Sequence, residues 1–455
     1  MQGAASSDAD SFAEWAEASL SPLTTVVPGA AWEDLRALDA MVAEARVVAL
    51  SEGVHAATEP LQFRNRVLQY LVERKGFTAI AIESGVVESR VVQEYVRGAP
   101  GELSNVVQQG ITWTFADLPQ NAALVRWIRE YNADPRHSRK VNFYGFDISG
   151  SPNVRSPTRP GSVALVEALK FLARVDAPAG ASLQQRLASL LPRARYYLRN
   201  PEDAPPASAP ADSGGYEQLN TVQRESLTAA IEDLIALLER KEAQYIAASS
   251  SREYAWGYRA AIGARQLDHW LRLVPIGTPP AGDADRAPGF LSLAADVRDR
   301  AQADNIEWVV QQEGAEGKVL VFAHLYHLSN APVKTAWYSL GPGASGTQAV
   351  AGTYLERRFG PRLVTIGNVV GHGVSGCGAF GQKLDGASAD TLQGQLGRFG
   401  RPLFLLDLRK ASGPTRQWLD REHAFGQNSG VLQVSARAAF DILFYVDSVT
   451  PACSR

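Results

Sequence analysis

An α/β fold is predicted for this chain: a mainly parallel sheet with flanking helices, and a helical insertion forming a lid over the cleft. Three observations predict it. Short apolar runs rich in Val, Ala and Ile alternate with amphipathic helical segments, the pattern of βαβ units in a buried parallel sheet. Residues 47–84, VVALSEGVHAATEPLQFRNRVLQYLVERKGFTAIAIES, hold one such unit complete. Between about 152 and 288 the strand signals give way to long helical segments, so the α/β core divides into 1–151 and 289–455 around the insertion.

In chain order, residues 1–45 combine a polar tail with a helix from Trp32 to Glu44, whose Trp32, Leu35, Leu38 and Met41 recur at helical spacing. The first strand, Arg46 to Ser51, delivers Glu52 and His55 to a turn. A helix from about Pro60 to Lys75 follows, with proline in a first turn that tolerates it. Its apolar stripe, Leu61, Leu68, Leu71 and Val72, takes in Arg64, so this arginine faces inward and wants a carboxylate; a snorkelling side chain at the core's edge is the structural alternative. The second strand, Thr78 to Glu83, leads to a helix that stops at Gly98. After a loop carrying Trp113 and Phe115 and a helix from about Asn121 to Asn132, a third strand, KVNFYGFDIS, ends on Asp147.

The insertion contains VALVEALKFLARV, a run near SLQQRLASLL, a segment from about Glu217 to Ile246, and REYAWGYRAAIGARQLDHWLRLV, interrupted by the loop PEDAPPASAPADSGG. Tyr254, Trp256, Tyr258 and Trp270 suit an apolar cavity lining, although helix-to-helix packing is the commoner use of such residues. The Pro/Gly-rich stretch 276–288 reads as a hinge back to the α/β layer. There the helix LAADVRDRAQADNIEWVVQQ precedes a fourth strand, KVLVFAHLYHLS, with His324 and His327, and further strands follow at RLVTIGNVVG, PLFLLDL and DILFYVDS.

Composition excludes several function classes. Hydrophobic residues make up 45% and charged residues 20%, with 45 basic against 48 acidic side chains, so neither disorder nor a nucleic-acid partner is indicated. No apolar run approaches the ~20 residues of a membrane span. The start, MQGAASSDADSF, lacks the basic region and apolar core of a signal peptide, so a cytoplasmic protein without a membrane partner is expected. Cys377 and Cys453, read as two thiols in a long chain, argue against a disulfide framework or a cysteine-rich metal site.

Charge at the strand ends points to chemistry. Ligands of open α/β sheets bind beyond the carboxyl ends of the strands, where Glu52, His55 and Glu83 would share one space and where the third strand also ends on an acid. A histidine can take a proton from water near neutral pH if an acid fixes its ring and stabilises the imidazolium. Glu52, His55, Glu83 and His324 therefore supply a base and an electrophilic partner, enough for water activation at a carbonyl. Other readings compete. Ser51, Ser84 and Cys377 offer nucleophiles, without a Gly-x-Ser-x-Gly elbow or local support. Glu52, His55, Glu83, His324 and His327 could hold zinc, although not in the one-helix His-Glu-x-x-His arrangement. The same groups could also be buried hydrogen-bonded pairs without chemistry.

The run Glu52-x-x-His55, Glu59, Arg64, then KGFTAIAIES with Glu83, resembles the erythromycin esterase family, whose members open macrolide lactones. The likeness continues through VRWIREYN, Gly145-x-Asp147, RDRAQADNIEWV, FAHLYH and FDILFYVDS, nearly the whole chain. It implies His55 as the base that activates water, Glu52 as its acidic partner, Glu83 and Arg64 as supporting charges, and His324 as a substrate or oxyanion contact with His327 beside it. Arg64, Glu59, His327 and Asp147 form the expected substrate-binding set. No metal and no cofactor are implied. The chain departs from the family where members usually show Gly-Glu-x-Thr-His-Gly and it has Ser51, Glu52, Gly53, Val54, His55 and Ala56. Leu325 stands where an asparagine is usual, and Gln302 where methionine is common. The expected function is metal-independent hydrolysis of an ester or lactone in a bulky, largely apolar natural product. A cyclase or lyase using the same His55–Glu52 pair without water, and a non-catalytic small-molecule binding protein, are the alternatives.

Overall fold

A computed structural model describes residues 2–150, 163–191, 216, 219–273, 289–335, 347–376, 381–388, 391–425 and 432–453. Its main strands are β1 Val47–Glu52, β2 Ala79–Gly85, β3 Asn142–Asp147, β4 Val319–His324, β5 Leu363–Ser375, β6 Leu403–Asp407 and β7 Ile442–Val449. They lie side by side in the order β6-β7-β5-β1-β4-β2-β3. Neighbours run parallel except β6, which is antiparallel to β7. Short antiparallel pieces at Ser21–Pro22 and Gln382–Leu384 pair with β6 and β5, so the sheet is mixed but mainly parallel, as the sequence predicts.

Period-two alternation sorts the strand side chains into two layers. Val48, Leu50, Ile80, Ile82, Leu320 and Phe322 enter the core on one face, where helix α1 (Thr58–Lys75) adds Leu61, Phe63, Leu68 and Leu71. Val47, Ala49, Ala79, Ala81 and Val321 face the other way, and their small size lets helices close on the sheet. Those helices are α2 (Val163–Val175), α3 (Ser251–Leu273) and α4 (Gly289–Gln312). Each fully buried Val, Leu, Ile or Phe contributes about 1.5–3 kcal/mol over leaving it in water, so the two layers hold the sheet from both sides. The close fit shows at Gly257, where a Cβ would lie 2.3 Å from the Phe171 ring.

Several expectations are corrected. The first residues form a helix, Gln2–Ser19, rather than a tail; its Phe12 and Ala16, one turn apart, are buried, and Phe12 stacks on Trp418 at 4.2 Å. The helix expected over Trp32–Glu44 is a 3-10 turn, Glu33–Leu35, then a short helix, Ala37–Val42, stopped by Ala43 at φ 43°. The segment 217–246 contains two helices, Thr221–Arg240 and Glu242–Ala247, broken at Lys241. The aromatic residues of α3, by contrast, take the commoner of the two uses expected for them and pack in the core, with Trp256 between Tyr144 and Trp308. Cys453 is disulfide-bonded rather than a thiol; the chain's other cysteine, Cys377, lies outside the described residues. The expected hinge at 276–288 and the loop at 201–215 lie outside them too.

Candidate active site

The site forms where β1 leaves its neighbours. β1 pairs with β5 only as far as Leu50 but with β4 through Glu52, which sits directly opposite His324. Beyond that point the chain turns sharply. Gly53 donates its N–H to Asn368 Oδ1 at 2.8 Å, and a Cβ there would lie 2.9 Å from the Asn368 carbonyl, so the turn admits glycine and little else. This returns His55 toward Glu52, with Nδ1 2.6 Å from Oε1. The His55 ring lies 4.7 Å from that of His324 and 5.3 Å from that of Phe115.

Glu83 arrives through a β-bulge. The β2–β3 register shifts between Ile82 and Gly85, re-aiming the side chain between them, as bulges beside functional sites do. Gly145 makes the bulge possible, since a Cβ there would lie 2.4 Å from the Ser84 carbonyl oxygen. The Glu83 carboxylate accepts from the His324 backbone N–H at 3.0 Å and from Arg298 Nη2 at 2.8 Å, and lies 3.3 Å from His327 Nε2. Arg298 also binds Asp147, with Nη2 2.6 Å from Oδ2 and Nε 3.0 Å from Oδ1. His327 Nδ1 is 2.7 Å from Asp299 Oδ1.

Three histidines thus sit in three electrostatic settings. Burial opposes charging of His55, but the hydrogen bond to Glu52 and the charges of Glu52 and Glu83 outweigh it, and its pKa is raised. For His327 burial again opposes charge, while the Asp299 and Glu83 carboxylates push its pKa up to about 9, so it is an imidazolium at neutral pH. His324 goes the other way. Burial and the neighbouring His55 hold its pKa well below the ordinary value, and its Nδ1 accepts from the Tyr326 N–H at 3.3 Å, leaving Nε2 to carry the proton. Glu83 is desolvated, yet His327⁺ and Arg298 hold its carboxyl well below the usual carboxylate range.

The structure therefore brings together Glu52, His55, Glu83, Asp147, His324 and His327. Arg64 faces inward and is buried beside Glu52, but its Nε and Nη2 hydrogen bonds go to Asn65 Oδ1 and its guanidinium lies 4.8 Å above the Phe322 ring, not on a carboxylate. Burial lowers its pKa to about 10 against the charge of Glu52, and it remains a cation. Arg64, Glu52, Glu83 and Asn121 line a cavity with room for about one water. Glu59 is not brought into the site: both its oxygens are taken by Thr450, tying α1 to the end of β7.

Sequence reasoning missed Arg298, Asp299, Trp113 and Asn368. A signal existed for Asp299. With Gln302, Ile306 and Val309 it falls at i, i+3, i+7 and i+10 on the buried stripe of α4, an acid where apolar residues belong. No local pattern marks Asn368, whose partner Gly53 is 315 positions away.

The comparisons with known proteins give a family and a fold. The erythromycin esterase family model matches residues 72–449. Erythromycin esterase type II of Escherichia coli is 22% identical over 330 residues, 71% of this chain and 70% of the relative. The type I enzyme of that organism is 22% identical over 311 residues, 66% of each chain. Among solved structures, a Bacillus cereus protein superposes with a TM-score of 0.76 at 26% identity, covering 97% of this chain and 98% of that one. A mutant of the erythromycin esterase EreC in its open conformation superposes at 0.68 and 18% identity, covering 95% and 98%. With a family model spanning most of its length, this chain belongs to the erythromycin esterase family.

Proposed function

We propose that this protein is an esterase that opens an ester or lactone of a bulky, macrolide-like natural product, with His55 as the general base that activates water. The observation that carries the reading is the 2.6 Å contact between His55 Nδ1 and Glu52. An ionised Glu52 takes the Nδ1 proton into its hydrogen bond, which leaves Nε2 with its lone pair to accept a proton from water. As the imidazolium forms, Glu52 stabilises it. The neutral His324, whose ring N–H is bonded to the Gly53 carbonyl, lies beside the base and would exchange that bond for one to the oxyanion of a tetrahedral intermediate. His327⁺, Arg298 and Arg64 supply positive charge around Glu52 and Glu83, and Glu83 positions the β4 turn through the His324 N–H. Relatives named as erythromycin esterases support the substrate class.

Metal independence belongs to the same reading. His55 Nδ1 and His327 Nδ1 are committed to carboxylates, Glu83 is engaged by Arg298 and a backbone N–H, and a guanidinium among these groups disfavours a second cation. Dialysis against a chelator is expected to leave turnover intact.

Solvent ¹⁸O tests the reaction class. Incorporation of one label into the carboxylate product of erythromycin or a related lactone, together with loss of about 10²–10⁴ in rate for His55→Gln, is the expected result. An unlabelled product isomeric with its substrate would instead mark a cyclase using the same pair without water.

A further inference from the structure

Trp113 sits in a backbone conformation that a bulky residue almost never adopts. Its φ is 58°, in the left-handed region, where a Cβ crowds the neighbouring carbonyl and such strain persists only if its surroundings enforce it. They do so on the N-terminal side. Thr112 is locked to the end of β2 by a hydrogen bond from its N–H to Ser84 Oγ at 2.8 Å, and by one from the Gly85 N–H to its own Oγ1 at 2.9 Å. On the C-terminal side, Asn121 Nδ2 donates to the Phe115 carbonyl at 2.8 Å. The 3-10 turn Trp113–Asp117 is thus held at both ends.

What the strained residue does is visible in its side chain. The indole Nε1–H donates to Asp147 Oδ2 at 3.2 Å, and the Arg298 guanidinium lies over the ring, 5.2 Å from the centroid. Asp147 and Arg298 are also bonded to each other, so the indole braces both members of one ion pair. Arg298 in turn reaches Glu83 Oε1 at 2.8 Å, and its Nη1 lies 3.2 Å from His327 Nε2. A glycine or asparagine would satisfy the turn at lower cost, but neither could place an N–H on Asp147 and a π face under Arg298.

We propose that Trp113 is a positioning residue: its indole, presented by a strained turn, fixes the Asp147–Arg298 pair and through Arg298 sets the environment of Glu83 and His327. The role does not depend on which ester is cleaved. The charged and titratable groups facing His327 are Asp299 and Arg298 from α4 and Glu83 from β2, with His55 and His324 also within electrostatic reach. Of these, Trp113 braces only Arg298.

The test is a pH titration of the histidine side chains by NMR in the full-length protein with ¹⁵N-labelled imidazoles, comparing wild type with Trp113→Leu and Trp113→Phe. His327 signals are assigned from a His327→Gln variant. In the wild type His327 is expected to release its proton near pH 9. In Trp113→Leu the Arg298 charge is no longer held beside the ring, so the His327 midpoint rises; Trp113→Phe, which keeps the π face but loses the N–H, gives a smaller rise. His137, stacked on Tyr131, and His423, tilted against the Trp418 ring, lie outside the site and report whether the fold is intact. An unchanged or lowered His327 midpoint in a folded Trp113→Leu protein overturns the proposal. Should that variant lose the wild-type His137 and His423 signals, Trp113→Phe decides: a raised midpoint sustains the role, and an unchanged one overturns it.

Discussion

Two residue-scale features carry consequences for pH and stability. In the proposed mechanism His55 is neutral when it accepts a proton, and its pKa is raised, so kcat/KM is expected to climb on an acid limb lying above the ordinary histidine value of 6.5. The same proposal uses His327 as a cation beside Glu83, so the alkaline limb is expected near its pKa of about 9. Asp299→Asn removes the charge that raises His327 and should pull the alkaline limb down; a profile identical to wild type would show that His327 is not the group on that limb. The linkage sign follows from the same raised pKa. His327 stabilises the fold fully below about pH 6.5, its unfolded value, and that contribution is lost as pH rises through about 9. Ala56 is the second feature. Its φ is 54°, where the family usually has glycine, and its carbonyl accepts N–H groups from Gly376 and Ala452. Relief of the left-handed strain outweighs glycine's extra entropy in the unfolded chain, so Ala56→Gly should stabilise by about 0.5–1 kcal/mol, read as a higher midpoint in urea.

At the scale of elements, the bulge in β2 and the helices on the sheet decide what the site can do. Gly145 lies under the bulge, and the side chain of Gly145→Ala would meet the Ser84 and Gly85 carbonyl oxygens at 2.4 and 2.6 Å. The bulge must shift, so a loss of about 1–3 kcal/mol of stability is expected, together with a fall in turnover, because Glu83 moves with it. Normal turnover in this variant would mean that the bulge does not set Glu83. The helices at 163–273 share a core with the sheet face through Ala49, Ala81, Leu165 and Ala261. We propose that this block also governs specificity, as a lid responding to ligand. Hydrogen exchange with erythromycin bound and absent is the measurement, and added protection within 152–288 is the expected outcome; unchanged protection throughout that span would remove the lid role. The strands, α1 and the helices of this block were legible because their apolar periods are long and uninterrupted. The split at Lys241 and the 3-10 turn at Glu33 were not, because single backbone torsions decide them and periodicity does not record those.

For the whole molecule, a mainly parallel sheet gathers acids and histidines from distant parts of the chain at the carboxyl ends of its central strands, where most of them are buried. No helix among the described residues is long and apolar enough to cross a membrane. The sequence by itself determined the class of fold, the strand ends and the residue types that gather there. Glu52, His55, Glu83 and His324 were identifiable because a charged or titratable residue closing an apolar run has few structural uses. Only the tertiary structure decided how these groups are paired. Glu59 left the site because Thr450 reaches it, and Arg64 turned to Asn65 instead of a carboxylate. Asp299, from a helix, and Glu83, from a strand, give His327 its charge, while His324, three residues earlier, stays neutral. The physical reason is that pairing and pKa depend on distances of a few ångströms between groups far apart in the chain, where burial strengthens electrostatics and no local pattern encodes the partner.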